Sequence, residues 1–231
     1  MNRLPVIVRQ YIAAFRILVV FTIICGVIYP AVEFGVAQLA FHKQANGSLV
    51  SYDDHVVGSG LLCQEFVNAK GQPLPQWFQP RPSAATSDDD FQPSGQLGGD
   101  GDFGCDAEYS SATNLGPTNP LLVQMIASRQ KQISAFDHVA ISQIPSDAVT
   151  ASGSGLDPDI SPANADIQAA RVAAARHLPL STVMALIAKN TTGRDLGILG
   201  EPGVNVLTLN IAIAELPGQA AYNAYPNAST K

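Results

Sequence analysis

The run of residues 150–161, TASGSGLDPDIS, is the part of the sequence best suited to chemistry. Gly153 and Gly155 permit tight backbone turns and the close approach of a ligand, and serines before a helix start could donate hydrogen bonds to an anion. The expected ligand-binding residues of this run are Ser152, Gly153, Ser154, Gly155 and Asp157. A structural turn whose Asp157 and Ser161 cap the next helix explains the same run, because Gly/Ser/Asp loops are common.

The two serines of this run match no nucleophile motif. A Gly-x-Ser-x-Gly elbow centred on Ser154 would need glycine where Ser152 stands. The run is not a P-loop either, because no Gly-Lys-Ser/Thr follows it. We therefore expect no catalytic residue. The alternative function is a membrane-anchored enzyme or ligand-binding module that uses Ser152–Asp157, which predicts a histidine or carboxylate beside one serine.

Neither the histidines nor the acidic residues form a recognisable metal site. No two histidines have the spacing of a metal-binding pair. The acidic stretch 88–108 could supply oxygen ligands for calcium, with Asp100 and Asp102 at its centre. EF-hand spacing fails, because the twelfth residue counted from Asp100 is Ser111. A solvated surface insertion explains the stretch as well, and we expect no bound metal.

Composition narrows the class of protein. The chain has 231 residues, of which 46% are hydrophobic and 14% charged, with a net charge of −6. This apolar fraction excludes disorder throughout, and the acidic balance argues against nucleic-acid binding. The mean hydropathy of +0.13 is high for a soluble protein, which directs attention to a membrane segment.

A membrane-spanning helix is predicted over residues 12–32, where Arg16 carries the only charge. The only charged residues before Glu33 are Arg3, Arg9 and Arg16. Positive residues stay on the cytoplasmic side, so we predict cytoplasmic residues 1–11 and a chain that continues outside a bacterial inner membrane. A cleaved secretory signal is the competing interpretation. Gly26 and Pro30 could serve helix–helix contact and helix termination.

The rest of the chain predicts an α+β extracytoplasmic domain over residues 46–216, between a connector at 33–45 and a flexible tail at 217–231. The β-prone runs around Asp53–Asp54 predict a hairpin, and residues 70–118 a long loop region. Cys63 and Cys105 could pair there or remain buried thiols.

Cap residues predict three helices in this domain. Asn119 and Ser161 each precede a proline at the first helical position, and Ser181 precedes the third helix. Short strands are predicted at 147–150 and, from alternating hydrophobicity, at 204–213.

Several runs resemble one family, the C subunit of the Kdp potassium-transporting ATPase. They occur in the family's order across residues 17–213: Tyr29-Pro30, Gln44–Leu49, Val57–Ser59, Arg81–Ala84, Asn114–Pro120, Val149–Pro158, Ala170–Ala173, Leu199–Pro202 and Val204–Leu207. The chain departs from the family pattern in its longer acidic segment and in its tail.

The resemblance implies a non-catalytic accessory subunit of an ATP-driven potassium pump. The implied partners are a channel-like potassium-selective subunit, a P-type ATPase subunit and a small single-span subunit. The family is described as a catalytic chaperone that raises the ATP affinity of the ATPase subunit, and ATP itself is a possible ligand. Expected interface residues are Gly26, Pro30, Asn114, Gly116 and Asn119. Because ATP is cytoplasmic and the domain is predicted outside, we expect an indirect effect on ATP.

Overall fold

The chain divides into two compact units between Ser48 and Leu49. The computed structural model describes residues 5–68, 71–84, 105 and 107–219. The predicted tail from 220 onward and the acidic residues 88–104 lie outside the described residues.

One continuous apolar helix makes up most of the first unit. It comprises α1 (Val6–Ile23), a π-helical turn (Ile24–Ile28) and α2 (Tyr29–Ala40). The short helix α3 (His42–Ala45) follows. Val6–Ala40 is 35 residues long with a mean hydropathy of 2.4 in its most apolar window, and none of that window is buried. Among the described residues it is the one helix long and apolar enough to cross a membrane, and it extends past both ends of the predicted span.

Pro30 does not end this helix, so the prediction of helix termination there is wrong. A proline in a helix lacks the N–H that would bond four residues back, and its ring crowds that carbonyl. The π-helical turn lies directly before Pro30, and Tyr29 N–H donates to the carbonyl of Ile24, five residues back. The wider turn lets the helix continue through the proline.

The second unit begins with the predicted hairpin, which the structure confirms. Strands β1 (Leu49–Tyr52) and β2 (His55–Ser59) pair antiparallel, with Tyr52 opposite His55. The two turn residues, Asp53 and Asp54, have φ values of 50° and 61°. Positive φ at both central positions matches the twist of the strands, and aspartate tolerates it better than most residues.

Two of the three predicted helix starts are confirmed. Helix α4 (Pro120–Asp137) begins where Asn119 Oδ1 accepts the N–H of Leu121, at 2.9 Å. Helix α5 (Pro162–Arg176) begins where Ser161 Oγ accepts the N–H of Asn164, at 3.1 Å. Ser181 is not the third cap, because α6 (Leu180–Asn190) already includes it and follows Pro179.

Both predicted strands outside the hairpin need correction. The first predicted strand, 147–150, overlaps a 3₁₀ turn (Ser146–Ala148), which is preceded by another at Ile141–Gln143. Only Gly203–Asn205 is a strand in the second segment, and helix α7 (Val206–Ala214) follows it. Asn205 caps α7 by accepting the N–H of Thr208. Seven of the nine residues of α7 are buried, so its apolar residues cover most faces and mimic a strand pattern.

Besides the hairpin, the described part of the second unit contains a three-stranded antiparallel sheet and four helices. The sheet order is β3 (Asp159–Ile160), β5 (Gly203–Asn205), β4 (Thr191–Thr192). Helix α7 contributes much of the core, together with α5, α6 and an irregular segment that carries Phe66, Trp77 and Phe78. The mixed helix and sheet prediction is confirmed. Among its described residues, the predicted loop region 70–118 contains no helix or strand.

Candidate functional site

The loop of residues 150–158, which we call the Gly/Ser loop, connects the 3₁₀ turns to β3. Its two serine side chains close the loop itself: Ser152 Oγ accepts the N–H of Gly155 at 2.8 Å, and Ser154 Oγ accepts the N–H of Leu156 at 3.1 Å. Gly155 has φ 73°, a conformation that favours glycine. Within the described part of the chain, neither hydroxyl bonds a histidine or a carboxylate. The geometry of a serine nucleophile is therefore not formed here.

The carbonyl groups of the Gly/Ser loop hold three other segments. The carbonyl of Gly155 accepts Ser83 Oγ at 2.5 Å, and that of Leu156 accepts the N–H of Cys63 at 3.0 Å. The carbonyl of Ser154 accepts Ser110 Oγ, also at 3.0 Å. Segments far apart in sequence therefore meet at this loop, which serves as a structural junction.

Asp157 in this loop is engaged in an ion pair. Its Oδ2 lies 2.7 Å from Nη1 of Arg81, and its Oδ1 accepts the N–H of Asp159 at 3.1 Å. Arg81 Nη2 also donates to the carbonyl of Thr150, at 3.3 Å. The pair joins the segment around residue 81 to both ends of the loop. Sequence analysis singled out Asp157 but not its partner, which lies 76 positions away.

Two backbone N–H groups of the Gly/Ser loop are not available to a phosphate. The N–H groups of Gly155 and Leu156 already donate to serine hydroxyls, so they are not free to bind an anion. Partial burial raises the pKa of Asp159. A hydrogen bond from Asn205 lowers this pKa, and the negative charge of the neighbouring Asp157 raises it further.

Cys63 and Cys105 form a disulfide with Cα atoms 5.9 Å apart. Of the alternatives left open by the sequence, the structure shows the paired one. Cys63 is buried, and its N–H bonds the Gly/Ser loop. The backbone N–H of Cys105 donates to Oε1 of Glu65 at 2.6 Å. The bond thus ties the acidic stretch 88–108 to the region that follows the hairpin.

The predicted interface residues of the domain surround the start of α4. Asn114 adopts a left-handed φ of 51°. The N–H of Asn119 donates to the carbonyl of Gly116 at 2.9 Å, and its side chain caps α4. These residues shape the turn that leads into α4. In the first unit, Gly26 lies in the π-helical turn, and nothing lies within 4 Å of a Cβ built on it.

A buried ion pair between α4 and α5 escaped the sequence analysis. Arg171 Nε lies 2.7 Å from Oδ1 of Asp137, and each side chain is only 5% exposed. Burial raises the pKa of Asp137, against the opposing effect of Arg171. Burial likewise lowers the pKa of Arg171, against the opposing effect of Asp137. The cost of desolvating both charges therefore outweighs their attraction in each case.

Arg171 is bound by several groups besides Asp137. Nη1 donates to the carbonyls of Pro75 and Trp77, at 2.7 and 2.8 Å, and Nη2 donates to Gln168 Oε1 at 2.9 Å. The guanidinium also lies 4.2 Å from the ring centroid of Phe136. A cavity of about 150 Å³ adjoins this network, lined in part by Gln79, Ile133, Phe136, Asp137 and Gln168. One feature of the sequence could have indicated this network: a stripe of polar residues along an alanine-rich helix, at Asn164, Gln168 and Arg171.

Fold and site together define the class. The protein is a mixed helix and sheet domain that follows a helix suited to cross a membrane, and its candidate loop holds the domain together. Among the described residues, no group of three or more metal-binding side chains is present. The calcium alternative at Asp100 and Asp102 lies outside the described residues.

Comparison with known proteins gives the family. The sequence model described as "K+-transporting ATPase, c chain" matches residues 11–215. Three similar relatives each carry the name potassium-transporting ATPase KdpC subunit. The relative from Gemmatimonas aurantiaca is 48% identical, over 84% of this chain and 86% of its own length. Those from Beijerinckia indica and Mycobacterium tuberculosis are 45% and 44% identical, over 87% and 90% of this chain and 90% and 99% of theirs. The chain belongs to the KdpC family.

Proposed function

We propose that this chain is the accessory KdpC-type subunit of an ATP-driven, high-affinity potassium uptake complex in the bacterial inner membrane. It assembles or stabilises that complex. The observation that carries the proposal is the similarity to KdpC subunits along almost the whole chain, 44–48% identity over 84–90% of its residues.

The proposed partners are a channel-like potassium-selective subunit, a P-type ATPase subunit that hydrolyses ATP, and a small single-span subunit. The chain itself is not catalytic. The Gly/Ser loop supports this, because Ser152 and Ser154 bond backbone N–H groups and, among the described residues, neither bonds a histidine or a carboxylate. A membrane-anchored serine enzyme is correspondingly disfavoured.

The domain is proposed to lie outside the cytoplasm, with the N-terminus inside. Two independent features support this orientation. The only charges before Glu33 are three arginines, which favour retention of the N-terminus on the cytoplasmic side. The disulfide between Cys63 and Cys105 is typical of an oxidising compartment, such as the periplasm or the cell exterior.

The chain acts as a catalytic chaperone that raises the ATP affinity of the ATPase subunit, and it does so without binding ATP. The Gly/Ser loop supports an indirect effect, because two of its N–H groups, those of Gly155 and Leu156, already donate to serine hydroxyls. An indirect effect requires that the chain bind one conformation of the pump better than another. The pump then binds ATP more tightly when the chain is present.

The predicted interface residues are retained as part of this proposal. Gly26 and Pro30 lie one turn apart on the membrane helix, and the lack of a side chain at Gly26 suits close contact with a partner helix in the bilayer. Asn114, Gly116 and Asn119, together with Ser152–Asp157, shape a surface of the domain for contact with the pump.

The decisive experiment compares the pump purified with and without this chain. We expect the KM for ATP to be lower with the chain, while calorimetric titration of ATP into the chain alone gives no binding heat. An unchanged KM, or a chain that does not co-purify with the pump, would contradict the accessory role. Binding heat from the chain alone would contradict the indirect effect.

A labelling experiment tests the orientation. The variant Ser181→Cys, made in a Cys25→Ser background, places one free thiol at an exposed position of the domain. A membrane-impermeant maleimide should label it in intact spheroplasts. The control Asn2→Cys should react only after the cells are broken. The reverse pattern would place the domain in the cytoplasm.

A further inference from the structure

The turn of residues 194–201, which connects β4 to β5, presents bulky apolar side chains to solvent. Leu196 is 89% exposed, Ile198 75% and Leu199 57%. Single exposed apolar residues are ordinary on a protein surface, whereas three within four positions form a patch that marks an interaction site. We call residues 194–201 the apolar turn.

The apolar turn is held in one conformation. Asp195 and Leu199 exchange two backbone hydrogen bonds, at 2.8 and 2.9 Å, across the turn. Below it, Arg194 Nη2 donates to both carboxylate oxygens of Glu201, at 2.8 and 2.7 Å. A preorganised surface loses less conformational entropy when it binds than a mobile one does.

Leu196 is a costly residue at its position. Its φ is 53°, in the left-handed region, where a bulky side chain crowds the backbone and where glycine or asparagine is far better tolerated. Neither an internal contact nor backbone geometry explains a leucine there, because the side chain is almost fully exposed. A function outside this chain explains both the strain and the exposure.

We propose that the apolar turn docks into an apolar socket, edged by basic groups, on another protein subunit of the transport complex. The turn could in principle contact lipid, a second copy of this chain or another subunit, and the charge of Asp195 and of the whole chain distinguishes these partners. Asp195 adjoins Leu196, and its carboxylate bonds no described residue, so insertion into lipid would carry a free negative charge to the bilayer surface. A second copy of this chain has a net charge of −6 and offers an unfavourable surface. A protein socket with a basic rim accommodates both the leucines and the carboxylate.

The inference rests on the proposed function, because it requires the potassium pump as the partner. The first test uses the full chain with Leu196→Asn, which keeps the backbone conformation while removing the apolar side chain. We expect the variant to bind the detergent-solubilised pump at least about tenfold more weakly than the wild type, with an unchanged or higher melting temperature. The matched control is Leu61→Asn, another exposed loop leucine, which should bind normally.

The two proposals can fail separately. If the wild-type chain does not bind the pump, the proposed function fails. If the wild type and Leu196→Asn bind equally well, the proposed function stands and the docking role of the apolar turn is overturned. If Leu61→Asn weakens binding as much as Leu196→Asn does, the effect is not specific to the turn, and the inference is again overturned.

A photocrosslinking experiment identifies the occupant directly. A benzoylphenylalanine at position 196 of the full chain, irradiated in intact membranes, should form a covalent adduct with another pump subunit, identified by its mass. An adduct with lipid, an adduct with a second copy of this chain, or no adduct would each overturn the proposal.

The basic rim of the socket is tested by charge reversal. The variant Asp195→Lys should weaken binding to the pump severalfold at low salt, and this difference should shrink as salt increases. Tighter binding by the variant, or a difference that salt does not alter, would overturn the assigned chemistry of the socket.

Discussion

Two ion pairs of the domain have the same separation and very different surroundings. Arg171 and Asp137 lie 2.7 Å apart in the interior, with both side chains 5% exposed. Arg194 and Glu201 lie 2.7 Å apart in the apolar turn, with side chains 45% and 79% exposed. Distance alone would rank the pairs as equal. Their surroundings show that one organises the interior and the other shapes a surface.

The interior pair acts through what surrounds it. Arg171 joins α4, α5 and the backbone around Trp77, so its loss leaves a buried carboxylate and unpaired carbonyls. The pair in the apolar turn is exposed to water, so water can hydrogen-bond the remaining side chain when its partner is substituted. The Arg81–Asp157 pair of the Gly/Ser loop is intermediate, with side chains 22% and 32% exposed. The three pairs form a series in which burial varies and distance does not.

The largest effect in this series is expected at the interior pair. Arg171→Met should lower the free energy of unfolding by about 3–5 kcal/mol, because it leaves Asp137 buried without its partner. Trp77, the single tryptophan, reports unfolding by fluorescence. The double variant with Asp137→Asn should lose less than the two single variants together. A loss below about 1 kcal/mol for Arg171→Met would break the comparison.

An intermediate effect is expected in the Gly/Ser loop. Arg81→Met should cost about 1 kcal/mol, because the pair is partly screened by water yet also holds the carbonyl of Thr150. The same fluorescence measurement, combined with Asp157→Asn in a double-mutant cycle, separates the ion pair from the remaining contacts. A coupling as large as that of the interior pair would show that burial is not the controlling variable.

The smallest change in stability is expected at the apolar turn. Arg194→Met should change the free energy of unfolding by less than about 0.5 kcal/mol, because the charges are exposed and screened. Adding 0.5 M salt should shrink even that difference. A loss comparable to that of Arg171→Met would mean that the turn contributes to folding as well as to docking.

A pH experiment probes Asp159, the first residue of β3, directly after the Gly/Ser loop. Burial raises the pKa of Asp159 above its ordinary value of 3.8, with a contribution from Asp157. The protonated carboxyl is therefore favoured in the folded state, and its stabilisation is present below pH 3.8 and lost as the pH rises through the folded-state pKa. Relative to Asp159→Asn, the wild type should lose stability as the pH rises from 3.8 through the folded-state pKa. A constant difference in unfolding free energy would contradict the raised pKa.

The sequence predicts features that depend on neighbouring residues. Asn119–Pro120 and Ser161–Pro162 start helices because a cap and a preset φ act within one turn. The hairpin at Asp53–Asp54 is likewise local. The prediction of a strand over 204–213 was mostly wrong, because a buried helix and a buried strand can have the same apolar pattern. Most of this segment is a helix buried in the core.

The candidate site was only partly predictable for a related reason. Sequence analysis located the Gly/Ser loop, but its role depends on Ser83, Arg81 and Cys63, which lie 69 to 93 residues earlier in the chain. The ion pair of Arg171 spans 34 positions and leaves no local pattern. Only part of the apolar turn, within Leu199–Pro202, was noted in the sequence, as one of the runs that resemble the family. Its exposed patch was missed, because residue types alone do not show which apolar side chains are exposed to solvent.

The π-helical turn at Ile24–Ile28 has a consequence for how the membrane helix is aligned. A π turn holds about one residue more than an α turn, so side chains beyond Ile28 are rotated by about 100° compared with an uninterrupted α-helix. Deleting Val27 would remove the extra residue, and a regular α-helix would then place Ala31 and Gly35 at the azimuth that the π turn gives them; an α-helical turn that kept all five residues would rotate both to another azimuth. The sequence of the helix therefore sets the direction in which its side chains point as well as its apolar length. An artificial polyleucine helix would reproduce only the apolar length.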